Sequence, residues 1–193
     1  MNDVIEPFER DDSVLDLIKE KAFLGREFLT WLWFKSEQRS GSVSIGDGID
    51  ILVSFERTLV LDTGEGPSKE IVSLKGRAVG RDEARMALSV GKKISMAGLR
   101  IWRDNLKWRF VLKADTFDIS GLKAEASFDE AEDFSFVEDT GVPQLEAKAL
   151  EGVFLMERTT DTLDRLFRSF LLLRIDSKAW REEKQEIKRW ATL

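Results

Sequence analysis

A chain of 193 residues can bury one sizeable core, and 42% hydrophobic with 34% charged residues supplies both the apolar surface for it and a solvated exterior, so a disordered chain is excluded. Cysteine and histidine are both absent, which excludes disulfides, thiolate or imidazole zinc sites, cysteine nucleophiles and any Ser-His-Asp arrangement. A net charge of −6 argues against a uniformly basic coat. No segment approaches the roughly 18 uninterrupted apolar residues of a membrane span, and MNDVIEPFERDD lacks the basic start and apolar run of an export signal. A cytoplasmic protein with no membrane partner is expected.

Residues 1–12 are expected to form a flexible tail. From Ser13 to Gln38 the apolar positions Leu15, Ile18, Ala22, Leu29 and Trp33 recur at helical spacing behind a possible Ser13 cap, which predicts a first helix. Its second half, FLTWLWF, is apolar on nearly every side, which a surface helix does not tolerate. Phe28, Trp31, Trp33 and Phe34 are therefore expected to pack in the core or to form an oligomer interface.

From Ser42 to Val79 the period changes to two. Gly41, Gly46 and Gly48 sit in GSVSIGDG without the lysine of a phosphate-binding loop, which predicts a turn between strands. Ile49, Ile51, Val53 and Phe55 alternate with polar partners, and with Thr58 to Leu61 they suggest a hairpin turning at Glu56-Arg57. Gly64-Glu65-Gly66-Pro67 breaks the chain before a further strand over residues 70–79, and Asp82 to Val90 suggest a short helix closed by Gly91.

Residues 93–113 predict a second hairpin turning at Asp104-Asn105, two residue types that tolerate left-handed backbone. A two-residue turn pairs Arg103 with Leu106, Ile101 with Trp108 and Leu99 with Phe110, leaving Arg100, Trp102, Lys107, Arg109 and Lys113 on the opposite face. A strand over residues 116–122 leads to an acidic stretch, residues 125–142, expected to be a mobile loop. After Pro143 a long amphipathic helix is expected, with a kink or register change at Arg158-Thr159-Thr160, and then a last helix with Trp180, Ile187 and Trp190 on one side.

Charge is segregated along the chain. Residues 75–113 carry eleven Lys and Arg against three acids, a net +8, whereas residues 114–164 carry three against 14, a net −11. A basic hairpin with Trp102 among its cations has the chemistry to track phosphates. The bland alternative is that these cations pair internally with the acidic segment. Metal chemistry is not expected: Asp115 with Asp118, and Asp129 with Glu130, Glu132 and Asp133, lack an ordered ligand spacing.

FLGREFLTWLWFKSE, followed by a strand-rich section, by RDEARMALSVGKKISMAGLRI and by LKADTFDISGLK, resembles RdgC-type recombination-associated proteins from about Phe23 through the terminal helices. FLTWLWF is the most specific part. The resemblance implies a non-enzymatic, nucleoid-associated protein that binds double-stranded DNA with little sequence preference, forms a homodimer and acts on a recombination protein. Family members are longer by roughly one domain.

The expectation is one α+β domain over residues 1–193, a meandering antiparallel sheet with an N-terminal helix and C-terminal helices packed against it, binding DNA through Lys92, Lys93, Arg100, Trp102, Lys107, Arg109 and Lys113. No cofactor is expected. The alternative is a non-catalytic interaction subunit assembling through its aromatic helices.

Overall fold

In a computed structural model the protein is described over residues 12–38, 40–63, 71–75, 80–125 and 142–192. The tail before Asp12, the Gly64–Pro67 loop and the acidic stretch between Glu125 and Val142 lie outside the described residues.

The helical repeat of the N-terminal segment forms α1 (Asp12–Gln38), and the period-two region that follows forms β1 (Ser42–Ser44), β2 (Asp50–Asp62) and β3 (Ile71–Lys75). Then come α2 (Gly80–Ser89), β4 (Lys93–Arg103), β5 (Leu106–Lys113), β6 (Ile119–Glu125), α3 (Val142–Ile175) and α4 (Ser177–Thr192). The class is α+β, with a six-stranded antiparallel sheet in the order β1-β2-β4-β5-β6 and β3 also paired to β2. The meander runs from β4 to β6. Before it, α2 carries the chain from β3 on one side of β2 to β4 on the other.

Two expectations need correction. Glu56-Arg57 does not turn a hairpin, because β2 runs on through it. The break in alternation is a register shift against β4 between Phe55 and Leu59, and extra residues in a strand disturb periodicity much as a turn does. Gly98 lies opposite the bulge, and a Cβ there would meet Glu56 Cβ at a tight 3.3 Å. Likewise Arg158-Thr159-Thr160 does not interrupt α3, which is helical for 34 residues. There the hydroxyls of Thr159, Thr160 and Thr162 donate to the carbonyls one turn back, at Leu155, Met156 and Arg158.

The helices lie on one face of the sheet. Phe28, Leu29 and Leu32 of α1 enter a single core with Leu99, Ile101, Trp108, Phe110 and Leu112 of the β4–β5 hairpin, and Leu166 and Phe170 of α3 join them. Each large side chain fully buried there contributes about 1.5–3 kcal/mol. Phe28 is the hub of an aromatic cluster, edge-on to Phe167 at 5.3 Å and to Phe170 at 5.7 Å and stacked with Phe117 at 6.0 Å. Phe28, Trp31, Trp33 and Phe34 are 0%, 4%, 3% and 1% exposed. That corrects their reading as an oligomer interface: the four side chains are consumed by this chain's own core, so they offer a partner no surface. Trp180 joins that core, and Ile187 and Trp190 pack against it partly buried, so the apolar side of α4 also faces inward. The large apolar side chains left in water include Leu150, Val153 and Phe154 on the first half of α3.

Polar contacts fix how the helices dock. Gly25 lets α1 approach the β5–β6 turn, for a Cβ at that position would lie 1.9 Å from the Ala114 carbonyl oxygen. Next to it, Arg26 donates to both carboxylate oxygens of Asp115 at 2.7 Å and to buried Asp62 at 2.7 Å. Farther along α1, Trp31 Nε1 and Lys35 Nζ share Glu183 of α4 at 3.1 and 2.6 Å. Glu37 accepts from the indoles of Trp33 and Trp190, at 2.9 and 3.1 Å, and from Arg85 of α2. The indole N–H groups of Trp31, Trp33 and Trp190 thus each meet a carboxylate from another turn or helix, as a buried donor requires.

Candidate nucleic-acid interface

The opposite face of the sheet is not covered by any described helix. Its composition follows from the β4–β5 hairpin, whose turn places Asp104 and Asn105 at φ 50° and 63°, the left-handed pair that a two-residue turn between twisted strands needs. The register is the expected one, with Arg103 opposite Leu106, Ile101 opposite Trp108 and Leu99 opposite Phe110. Leu99, Ile101, Trp108 and Phe110 therefore point into the core, and Arg100, Trp102, Lys107 and Arg109 point outward.

Neighbouring strands extend these positions into two rows. One row runs Ser54, Arg100, Arg109, Lys123 across β2, β4, β5 and β6. The next runs Leu52, Trp102, Lys107, Glu125. With strands about 4.8 Å apart, the first row sets three cations side by side over about 10 Å. Trp102 is 49% and Leu52 44% exposed, so the second row offers an aromatic surface beside the charges.

Internal pairing is real but partial. Arg100 reaches Glu56 at 2.5 Å and Glu125 at 3.0 Å, and Lys107 reaches Glu125 at 3.0 Å. Burial raises the pKa of the Glu125 carboxyl, but the Lys107 hydrogen bond and the charges of Arg100, Lys107 and Arg109 together hold it below its ordinary value. Arg109 and Lys123 are exposed and form no ion pair among the described residues. Trp102, Arg100 and Lys107 also line a groove of about 650 Å³ that continues past Leu52 and Ser54 to Glu37 and Arg85.

The seven residues expected to act together are divided. Arg100, Trp102, Lys107 and Arg109 share the open face. Lys113 lies at the far end of β5, exposed and within 3.7 Å of Asp118. Lys92 and Lys93, at the entrance to β4, line a cavity with α4 and α1 instead. Two further cations of the basic segment, Arg103 and Arg85, are structural. Arg103 is buried, donating to Asp161 at 2.6 Å and Thr162 at 2.9 Å on α3, and Arg85 is held by Glu37 and by the Trp190 ring, 5.1 Å from its guanidinium carbon.

Lys123 was not singled out by sequence, although it completes the row. The β5–β6 connection passes through Phe117 at φ 57°, and the pairing shifts between Arg109 and Val111, so alternation alone does not carry register into β6.

Of the carboxylates weighed as metal ligands, Asp115 is engaged by Arg26 and Asp118 lies beside Lys113; the Asp129–Asp133 group is outside the described residues. Among the described residues no group of three or more acidic side chains is arranged to hold a metal ion, and no helix is long and apolar enough to cross a membrane. Comparison with known protein families, with curated proteins and with solved structures finds no match.

Proposed function

We propose that this protein binds double-stranded DNA without sequence preference and without catalysis, using the uncovered face of its sheet. The observation that carries the reading is the cross-strand row Arg100, Arg109, Lys123 beside half-exposed Trp102. Like charges placed directly opposite each other on a sheet destabilise it, and a polyanion laid over them removes that repulsion. Phosphates neutralised by such a row release counterions, which supplies affinity independent of sequence. The likeness of FLTWLWF and its flanking segments to RdgC-type proteins supports the same activity, and with it a role in modulating recombination.

The test is fluorescence anisotropy with two duplexes of unrelated sequence at two salt concentrations. The reading expects equal affinities that fall steeply with salt, by about 0.9 logarithmic units per tenfold salt for each phosphate neutralised. No binding at low salt overturns it.

A further inference from the structure

On the helical side of the molecule, away from the open sheet face, α4 meets the end of α2, the start of β4 and the middle of α1 around a cavity of about 450 Å³. That is within the range of about 300–1,000 Å³ typical of small-molecule sites. Its walls are apolar where Leu88, Trp180, Ile187 and Ala191 line it, and its rim carries Lys92, Lys93, Lys184 and Lys188.

Three observations set this cavity apart from a packing defect. Lys184 and Lys188 stand one helical turn apart on α4 and form no ion pair among the described residues, although like charges at that spacing disfavour the helix. Glu27, the one carboxylate among the described lining residues, already accepts from Arg174 at 3.0 Å. Trp180 is 7% exposed, and its buried Nε1 has no acceptor among the described residues, an omission that ordinarily costs about 1–3 kcal/mol. Burial, opposed by Glu27 and reinforced by Lys184, Arg26 and Arg174, lowers the pKa of Lys93; the field at the rim is positive.

We propose that this cavity binds a small amphiphilic carboxylate, its hydrocarbon body against Leu88, Trp180, Ile187 and Ala191 and its carboxylate at Lys184 and Lys188. The site is separate from the DNA-binding reading and does not depend on it. An apolar wall selects the body through the hydrophobic effect, about 0.8 kcal/mol for each methylene buried. The ammonium rim selects the charge.

The experiment is isothermal titration calorimetry of the full chain with decanoate, and with 1-decanol as the neutral analogue. Saturable binding of one decanoate per chain is expected, with decanol weaker by about tenfold or more, the loss of one charge-assisted contact. Lys184→Gln with Lys188→Gln, both exposed at the cavity rim, is expected to weaken decanoate by about tenfold while leaving decanol unchanged. Ile187→Trp fills the cavity and is expected to abolish binding of both, with thermal melting reporting that it folds. Absence of saturable decanoate binding, decanol binding equal to decanoate, or undiminished decanoate binding in the lysine double variant overturns the proposal; the lysine pair and the decanol comparison decide it even if Ile187→Trp does not fold.

Discussion

Arg100 and Arg109 are directly opposite each other across β4 and β5, two guanidinium side chains on the same solvent-facing side of the sheet. Such a like-charge pair costs roughly 0.2–1 kcal/mol relative to a neutral one. Glu56 and Glu125 form ion pairs with Arg100, whereas Arg109 forms none among the described residues. These carboxylates compete with phosphate for the same guanidinium. Replacing both, Glu56→Gln with Glu125→Gln, is therefore expected to lower stability slightly and to tighten DNA binding on the order of fivefold, the equivalent of releasing about 1 kcal/mol of surface ion pairing. Anisotropy and thermal melting on the same samples read the two opposite effects.

The Arg103–Asp161 pair gives a pH signature. Hydrogen bonding from Arg103, opposed by burial and reinforced by Arg165, lowers the pKa of Asp161 below its ordinary value of 3.8. The unfolded chain then takes up the proton first as pH falls. The stabilisation is present above the ordinary carboxylate range and is lost as pH drops through the lower folded value. Asp161→Asn is expected to melt below the native protein at pH 7, and the difference is expected to close toward pH 2. A gap that persists at low pH contradicts this.

At Gly25 the sign of the effect is informative. In an unconstrained helix interior, alanine is favoured over glycine by roughly 0.8–1 kcal/mol. Here the added methyl meets the Ala114 carbonyl at 1.9 Å, and overpacking of this kind costs typically 1–3 kcal/mol. Gly25→Ala is thus expected to destabilise, by up to about 2 kcal/mol net, in urea unfolding. A stabilised variant means that α1 does not press on the β5–β6 turn.

Glu183 separates stability from binding. It is buried, and it accepts from both Trp31 and Lys35. Glu183→Leu leaves an indole N–H and an ammonium without their acceptor, at a cost of about 1–3 kcal/mol. DNA affinity is expected to be unchanged at temperatures where the variant is folded, since Glu183 lies among the helices and the cation row on the other face.

The β4–β5 hairpin was legible in full, down to which residue faces which, because strict alternation on both sides of Asp104-Asn105 leaves a two-residue turn one register that buries an apolar face. The α+β class and the terminal helices were legible for the same reason, a period that holds over many residues. Other features were not. The extra residues at Glu56-Arg57 break alternation as a turn does, so one strand read as two. Lys92 and Lys93 precede Arg100 at the start of the same hairpin, but a second register shift between Val60 and Leu61 and the approach of α4 place them at a cavity instead of the open face. FLTWLWF read equally as core or interface, because apolarity on every side demands burial without saying by what; α3, α4 and the sheet supply that burial within one chain.

The most direct measurement of the central claim is duplex DNA affinity, by anisotropy at two salt concentrations, of the native protein against Arg109→Glu with Lys123→Glu. Both side chains are exposed, so the fold is expected to survive, as circular dichroism checks. The account expects the native protein to bind and the double variant to lose at least about tenfold in affinity, with a salt slope lower by about 2. Equal affinities and slopes for the two proteins would contradict it.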